Sequence, residues 1–191
     1  MNERILMLDM DLTINDIYPP LVEALNEEYK LDLEPNNWKK YWWDHSLITA
    51  QITRKMVEDI FSSDEFFLHL PVMRGAKTAI PRLMKKFDVY VLTSPWMSSE
   101  RPYADKYDWL KRHFPGLENK MIPTSHKWLV YGDILVDDHM PNCYSWKAFW
   151  DSKGLETKTA SLKYPWTDPN KVDIIGKNWK ELADKIEMAL L

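Results

Sequence analysis

The 191-residue chain is 45% hydrophobic and 28% charged, an ordinary composition for one domain with a modest insertion and a sizeable core. Its net charge is −4 with Lys and Arg interleaved among acids, which excludes an electrostatic nucleic-acid binder with a basic face. Cys143 is the single cysteine, so a disulfide framework and a thiolate metal site are excluded; with no membrane-length apolar run and no leader expected before the first strand, a cytoplasmic protein is expected.

Arg4–Leu8 (RILML) is short, apolar and ended by polar residues, the pattern of a buried strand. Pro19-Pro20 opens a helix over 21–30, since proline is tolerated in a first turn. From Leu31 to about Leu70 the pattern is helical and aromatic without a good strand, and AQITRKMVEDIF (50–61) places apolar residues at roughly helical spacing. Pro71–Gly75 punctuates the chain before a helix over about 76–86, within which Pro81 is awkward. DVYVLT (88–93) is a second strand ending in hydroxyls, 102–114 is helical, and 120–123 is a short third strand. ILV (134–136) is a fourth strand and ends on Asp137-Asp138. A helix over 142–152, an extended run over 157–162 and a closing helix over 179–190 complete the pattern.

Strands alternating with helices predict an α/β parallel sheet covered on both faces and joined by right-handed crossovers. The stretch 17–73 is too long for a simple crossover and reads as an inserted helical cap, leaving 1–16 and 74–191 as the core domain. Ten tryptophans are many for this length. Most are expected in core packing, a minority lining a site for a flat ligand.

Ligands of open parallel sheets bind in the crevice beyond the carboxyl ends of the strands. Those ends carry Asp9 and Asp11, Thr93 and Ser94, and Asp137 and Asp138, with Lys127 in the loop approaching the fourth strand. Each has a plain structural alternative: paired acids form turns, Thr-Ser before Pro95 caps a helix, and a lysine is usually solvated. Their convergence on one edge is what points to function. Four carboxylates held together repel one another, so a divalent cation or a protonated carboxyl is required. All-oxygen ligands favour a hard cation, Mg²⁺ above all. Once a phosphate dianion joins them, only Mg²⁺ and Lys127 oppose the negative charge. A metal-dependent phosphoryl site with one protonated carboxyl is coherent chemistry for this set.

In order and context, Asp9-Met10-Asp11-Leu12-Thr13, the Thr93 strand end, Lys127 and Asp137-Asp138 resemble the four motifs of the haloacid dehalogenase (HAD) phosphatase superfamily. The sequence is still more similar to the 5′(3′)-deoxyribonucleotidases within it, through Glu65–Pro71 with Gly75-Ala76 (EFFLHLP…GA), Asp88–Pro95 (DVYVLTSP), Lys106–Trp109 (KYDW) and Gly132–Asp138 (GDILVDD). The resemblance spans about residues 3–150 and implies a Rossmann-like parallel sheet flanked by helices, the HAD-like core, with a small helical cap inserted after the first strand. It implies that Asp9 is the nucleophile and Asp11 the general acid and base, a role that needs the crowding of neighbouring carboxylates to hold a proton on it. It further implies Mg²⁺ held by Asp9, the Asp11 backbone carbonyl and Asp138, with Asp137 bound directly or through water, and phosphate oxygens held by Thr93 or Ser94 with Lys127. One departure concerns the turn: the family commonly has glycine directly after the second aspartate, where this chain has Leu12. The tail after 150, including Lys163-Tyr164-Pro165-Trp166, is less similar.

Ile17, Trp42, Trp43 and Phe61, with Trp96 just after the phosphate loop, are candidates to face the cleft; cap-core packing is the alternative for each. An apolar aromatic pocket would suit a nucleobase and a sugar lacking its 2′-hydroxyl, because burying an unpaired hydroxyl is costly. The expected partner is a nucleoside monophosphate resembling dTMP or dUMP, in a monomer or a homodimer, with neither a nucleic-acid polymer nor a membrane. None of the five histidines is given a role. The rival readings are a HAD phosphatase for sugar phosphates or another small metabolite, a receiver-like phospho-Asp signalling module, and a silent binding protein. The receiver reading leaves Asp11 without a duty and the aromatic insertion unexplained, while intact motifs weigh against silence.

Overall fold

The apolar run Ile5–Leu8 is β1, and in the computed structural model, which describes residues 4–34, 51–95 and 101–190, it lies inside a six-stranded sheet. The other strands are β2 (Asp88–Thr93), β3 (Met121–Pro123), β4 (Ile134–Val136), β5 (Lys158–Leu162) and β6 (Ile174–Gly176). Their order is β3-β2-β1-β4-β5-β6, with every pairing parallel. Leu8 stands level with Val91 of β2 and with Val136 of β4.

Both faces of β1 are covered, which is why its sequence is continuously apolar rather than alternating. Leu6 and Leu8 point into the larger core, whereas Met7 joins Leu92, Leu135 and Trp146 in a smaller one. The larger core is closed by α1 (Tyr18–Tyr29), α2 (Arg54–Phe61), α3 (Ala76–Met84), α4 (Arg101–His113) and α6 (Trp179–Leu190), the smaller by α5 (Met140–Asp151). Strands β2 and β4 and helix α6 fall on the bounds expected from the sequence. Helix α1 starts at Tyr18, with Pro19 and Pro20 in its first turn. Helix α3 runs through Pro81, whose ring lies on the exposed side. Strand β6 has only three residues, too few to show a periodicity.

Several tryptophans combine packing with a hydrogen bond from the indole N–H. Trp109 donates to the Leu70 carbonyl at 2.7 Å, Trp146 to Val130 at 2.8 Å and Trp179 to Thr13 at 2.8 Å, and all three side chains are fully buried. Each stitches a loop to the layer beneath it. Among the described residues no helix is long and apolar enough to cross a membrane.

Helix α6 approaches the sheet closely at Gly176, where an added Cβ would meet the Leu182 Cβ at 2.5 Å and its backbone nitrogen at 2.6 Å. A backbone cannot give way as a side chain can, so Gly176→Ala is expected to destabilise the protein by roughly 1–3 kcal/mol, the usual cost of overpacking. A lowered midpoint in urea unfolding checks this.

Candidate active site

The chain leaves β1 for β2 and β3 on one side and returns to β4 on the other, so the topological switch point lies between β1 and β4. The ladder continues one residue past β1: the Asp9 N–H donates to the Val136 carbonyl at 2.8 Å, and the Asp137 N–H to Ala160 at 3.0 Å. Asp9 and Asp137 are thereby fixed side by side at the crevice. Beyond Asp9 the loop curls around one oxygen, the Met10 carbonyl, which accepts from the N–H groups of Ile14 at 2.9 Å and Asn15 at 3.1 Å.

That curl puts Leu12 at φ 58, in the left-handed region. This is the position where the family that the sequence resembles commonly has glycine, and a non-glycine residue in that conformation costs about 1–2 kcal/mol. The Leu12 side chain is 1% exposed and belongs to the larger core, and burying a leucine contributes about 1.5–3 kcal/mol, enough to offset the strain. The Tyr164 hydroxyl donates to the Leu12 carbonyl at 2.5 Å. The turn is thus held by an anchored side chain and a hydrogen bond instead of by glycine's freedom.

Lys127 Nζ lies 2.6 Å from Asp9 Oδ1 and 2.7 Å from Asp137 Oδ2, with its side chain 4% exposed. Burial alone would lower the lysine, but Asp137 and Asp9 outweigh it and hold the ammonium charged well above its ordinary value. Asp137 is saturated: besides Lys127 it accepts from the His139 N–H at 2.8 Å and from the Asn142 amide at 3.1 Å. Asp138 is the opposite case. It is buried, and neither of its carboxylate oxygens has a hydrogen-bond partner among the described residues.

One carboxylate oxygen from each of Asp9, Asp137 and Asp138 lies within 4.8 Å of the others. A buried carboxylate without partners is costly unless a cation joins it, and an all-oxygen donor set suits a hard divalent ion. The residues present therefore fit such an ion. Without it, burial pushes Asp9 up to about 7, Asp137 and Asp11 adding to the rise and Lys127 opposing it. Burial, then Asp137 and Asp9, push Asp138 well above the usual carboxylate range.

A second buried lysine completes the cluster. Lys106 Nζ lies 2.6 Å from Asp11 Oδ2, 3.1 Å from Thr93 Oγ1 and 3.4 Å from the Ser94 carbonyl, and 4.8 Å from the centre of the Phe67 ring. The Asn15 amide donates to Asp11 Oδ1 at 3.0 Å. Two cations, not one, therefore face the four carboxylates. The partner pressed against Asp11 is a cation, not the crowding carboxylates expected from the sequence. Reading the sequence for strand-end residues passes over Lys106 because it sits on a helix. A signal existed: Pro102, Lys106, Trp109 and Leu110 form the buried stripe of α4, and a lysine on such a stripe needs a partner.

Asp9, Asp11, Thr93, Lys127, Asp137 and Asp138 are brought together at one edge of the sheet, with Ser94 exposed at the rim. Ile17 and Phe61 are 0% and 1% exposed and pack in the larger core. Trp42, Trp43 and Trp96 lie outside the described residues. The tail contributes two residues the sequence did not flag. Trp166 donates its indole N–H to the Asp138 carbonyl at 3.1 Å, and its ring stacks on Tyr164 with centroids 4.5 Å apart and planes 5° from parallel. Burial, then the charges of Asp138 and Asp16, hold the Tyr164 phenol well above its ordinary value, so it stays a donor.

Residues 3–186 match the family model described as 5′ nucleotidase, deoxy (pyrimidine), cytosolic type C protein (NT5C). A 5′(3′)-deoxyribonucleotidase of Clostridium acetobutylicum is 32% identical over 148 residues, 77% of this chain and 79% of that one. Among solved structures, a haloacid dehalogenase-like hydrolase of Streptococcus pneumoniae superposes with a TM-score of 0.57 at 9% identity, over 96% of this chain and 98% of that one. A Bacillus subtilis protein described as a HAD-hydrolase and solved bound to magnesium does so with a TM-score of 0.57 at 16% identity, over 97% and 99%. These two likenesses show the shared fold.

The carboxylate cluster sets a pH dependence of stability. Asp9 takes up its proton at about 7 when folded and at 3.8 when unfolded, so its stabilising contribution is complete below about pH 4 and is lost as pH rises through about 7. Asp138 acts in the same direction. With EDTA present, Tm is expected to fall between about pH 4 and pH 7, and a divalent cation held by these carboxylates would offset the fall by binding the folded state. Asp138→Asn is expected to raise Tm in EDTA at neutral pH and to abolish the effect of the cation. Differential scanning calorimetry reads both.

Proposed function

Because the chain belongs to the family of 5′ nucleotidase, deoxy (pyrimidine), cytosolic type C proteins, we propose that it is a cytoplasmic, Mg²⁺-dependent phosphatase. It hydrolyses deoxyribonucleoside monophosphates through an aspartyl-phosphate. The observation that carries this reading is the unpartnered, buried carboxylate of Asp138 beside Asp9 at the switch point, with two buried lysines in reach. The name of the Clostridium acetobutylicum relative supports the substrate class.

Asp9 attacks phosphorus in line: an Oδ–P bond forms and the ester P–O bond breaks. Asp11 gives its proton to the departing alkoxide and later takes one from the water that splits the acyl phosphate, releasing inorganic phosphate. Asn15 and Lys106 are bonded to its two oxygens and orient the ionised form that takes the proton from water; as the acid, Asp11 gives up the Lys106 contact while that lysine turns to the phosphate. Lys106 with Thr93, and Lys127 from the other side, bind the non-bridging oxygens where charge accumulates. Asp9, Asp138 and the Asp11 backbone carbonyl would hold Mg²⁺. Asp137, already taken by Lys127, His139 and Asn142, positions the lysine and would hold the ion directly or through water. When bound, the ion supplies charge neutralisation and alignment of the phosphate.

Residues 17–73 act as a cap that supplies specificity; Ile17 and Phe61, packed in the larger core, support that cap from within and do not face the cleft as the sequence had suggested. Ribonucleotides are then turned over more slowly, because their 2′-hydroxyl would be buried without a partner.

Phosphate release from a panel of deoxynucleotides, ribonucleotides and sugar phosphates tests the reading. dTMP and dUMP are expected to lead with Mg²⁺ and to be inert in EDTA; preference for sugar phosphates would overturn the substrate assignment and leave the chemistry. Asp9→Asn is expected to abolish turnover with an unchanged fold by circular dichroism, and retained activity would refute Asp9 as nucleophile. Asp11→Asn is expected to lower kcat by about 10²–10⁴. An effect of Asp11→Asn on Mg²⁺ affinity alone would remove its acid–base role.

A further inference from the structure

The carboxylates of the site come from two separate loops, residues 9–13 after β1 and residues 137–139 after β4. The β1–β4 ladder joins their bases, yet neither Leu12 nor Asp138 lies in it: the ladder ends with the Asp9 N–H on the Val136 carbonyl. What ties the loops beyond that point is the segment Tyr164–Thr167 between β5 and β6. Its Tyr164 hydroxyl holds the Leu12 carbonyl and its Trp166 indole holds the Asp138 carbonyl. The two rings are stacked face to face, so the two hydrogen bonds originate from one rigid body.

That body is itself anchored. Thr167 Oγ1 accepts from the Tyr164 N–H at 2.8 Å and donates to the Leu162 carbonyl at 3.1 Å, and the Thr167 N–H returns to the Tyr164 carbonyl at 3.1 Å. The Trp166 ring stands edge-on to Tyr18 at 5.8 Å, so the first residue of α1 closes it from the other side. Pro165 between the two aromatics further restricts the turn.

We propose that Tyr164 and Trp166 are positioning residues that set the spacing between Asp11 and Asp138, and so the geometry of the divalent-cation site, by bridging the two loops through their backbone carbonyls. The bridge takes over the work of a turn glycine. Leu12 is strained, and its carbonyl lies in the Leu12–Thr13 peptide, one peptide beyond the Asp11 carbonyl; the phenol locks that plane and so restrains the turn that carries Asp11. The proposal rests on the reading of the carboxylates as an ion site and concerns residues that touch neither ion nor substrate.

Groups bonded behind metal ligands commonly change metal affinity or activity by about 10–100-fold when removed. Tyr164→Phe and Trp166→Phe each delete one donor while keeping an aromatic ring. Each is expected to weaken Mg²⁺ binding by at least about tenfold by calorimetric titration, and to lower kcat for dTMP with KM unchanged. Because the rings act as one body, the double variant is expected to fall short of the sum of the two singles. Trp150→Phe is the control: its indole nitrogen has no partner among the described residues, and its Mg²⁺ affinity should stay at the parent value. If Tyr164→Phe and Trp166→Phe lower Tm as packing losses do but keep the parent Mg²⁺ affinity and kcat, the bridge is mere packing and the proposal falls. The titration needs no substrate. A parent protein that binds Mg²⁺ yet leaves dTMP intact would defeat the proposed activity while the bridge remains testable by affinity.

Discussion

Lys127 carries its charge almost out of solvent, bonded to Asp9 on one strand end and to Asp137 on the next, and the architecture makes that bridge geometrically stable. Parallel pairing of β1 with β4 brings the two aspartates level. Two apolar layers, one on each face of the sheet, keep water away from the strand ends. Asn142 and the His139 N–H occupy the remaining lone pairs of Asp137, so the lysine has one place to go. Lys106 repeats the device on the other flank, reaching Asp11 and Thr93 from α4. An ammonium between two carboxylates tolerates burial because the attraction grows as the dielectric falls.

The same crevice leaves Asp138 unsatisfied, and its carboxylate stands among three like charges with no donor of its own among the described residues. Such an arrangement costs folding free energy, and proteins concentrate costs of this kind at sites that bind something. Binding and stability are coupled here through a single group: whatever neutralises Asp138 relieves the cost of its burial and the repulsion it meets from Asp137 and Asp9. The strained Leu12 belongs to the same economy, since its side chain is sunk in the core while its carbonyl is tied down from the tail.

How much of this was legible in the sequence follows from the range of the interactions. Strands β1, β2 and β4 are short apolar runs buried on both faces, and the residues that end them announced the site directly. Helix α6 shows its buried stripe at Trp179, Leu182, Ala183 and Ile186. Lys106 was hidden because one lysine on a helix reads as solvated until its stripe is compared with its neighbours. Strand β6 was hidden by its length. The conformation of Leu12 could not be inferred, since nothing local to DMDLT selects a left-handed leucine; the partner that fixes it is 152 residues away. Local patterns encode which residues meet at an edge, while the contacts that orient them are between residues with no sequence relation.

That separation has a temporal consequence. The loop bearing Asp9 and Asp11 leaves the ribosome first, but its supports arrive late: Trp179, which bonds the Thr13 carbonyl, lies 166 residues downstream of it. Strand β1 is also the central strand, and it waits for β2 and then for β4 across long stretches of chain. Pairings so distant in sequence form slowly, and an apolar strand awaiting its neighbours is exposed to wrong partners. The nascent chain therefore carries these carboxylates in an unformed state until their distant supports are made. The crevice closes around them only as the last helix docks.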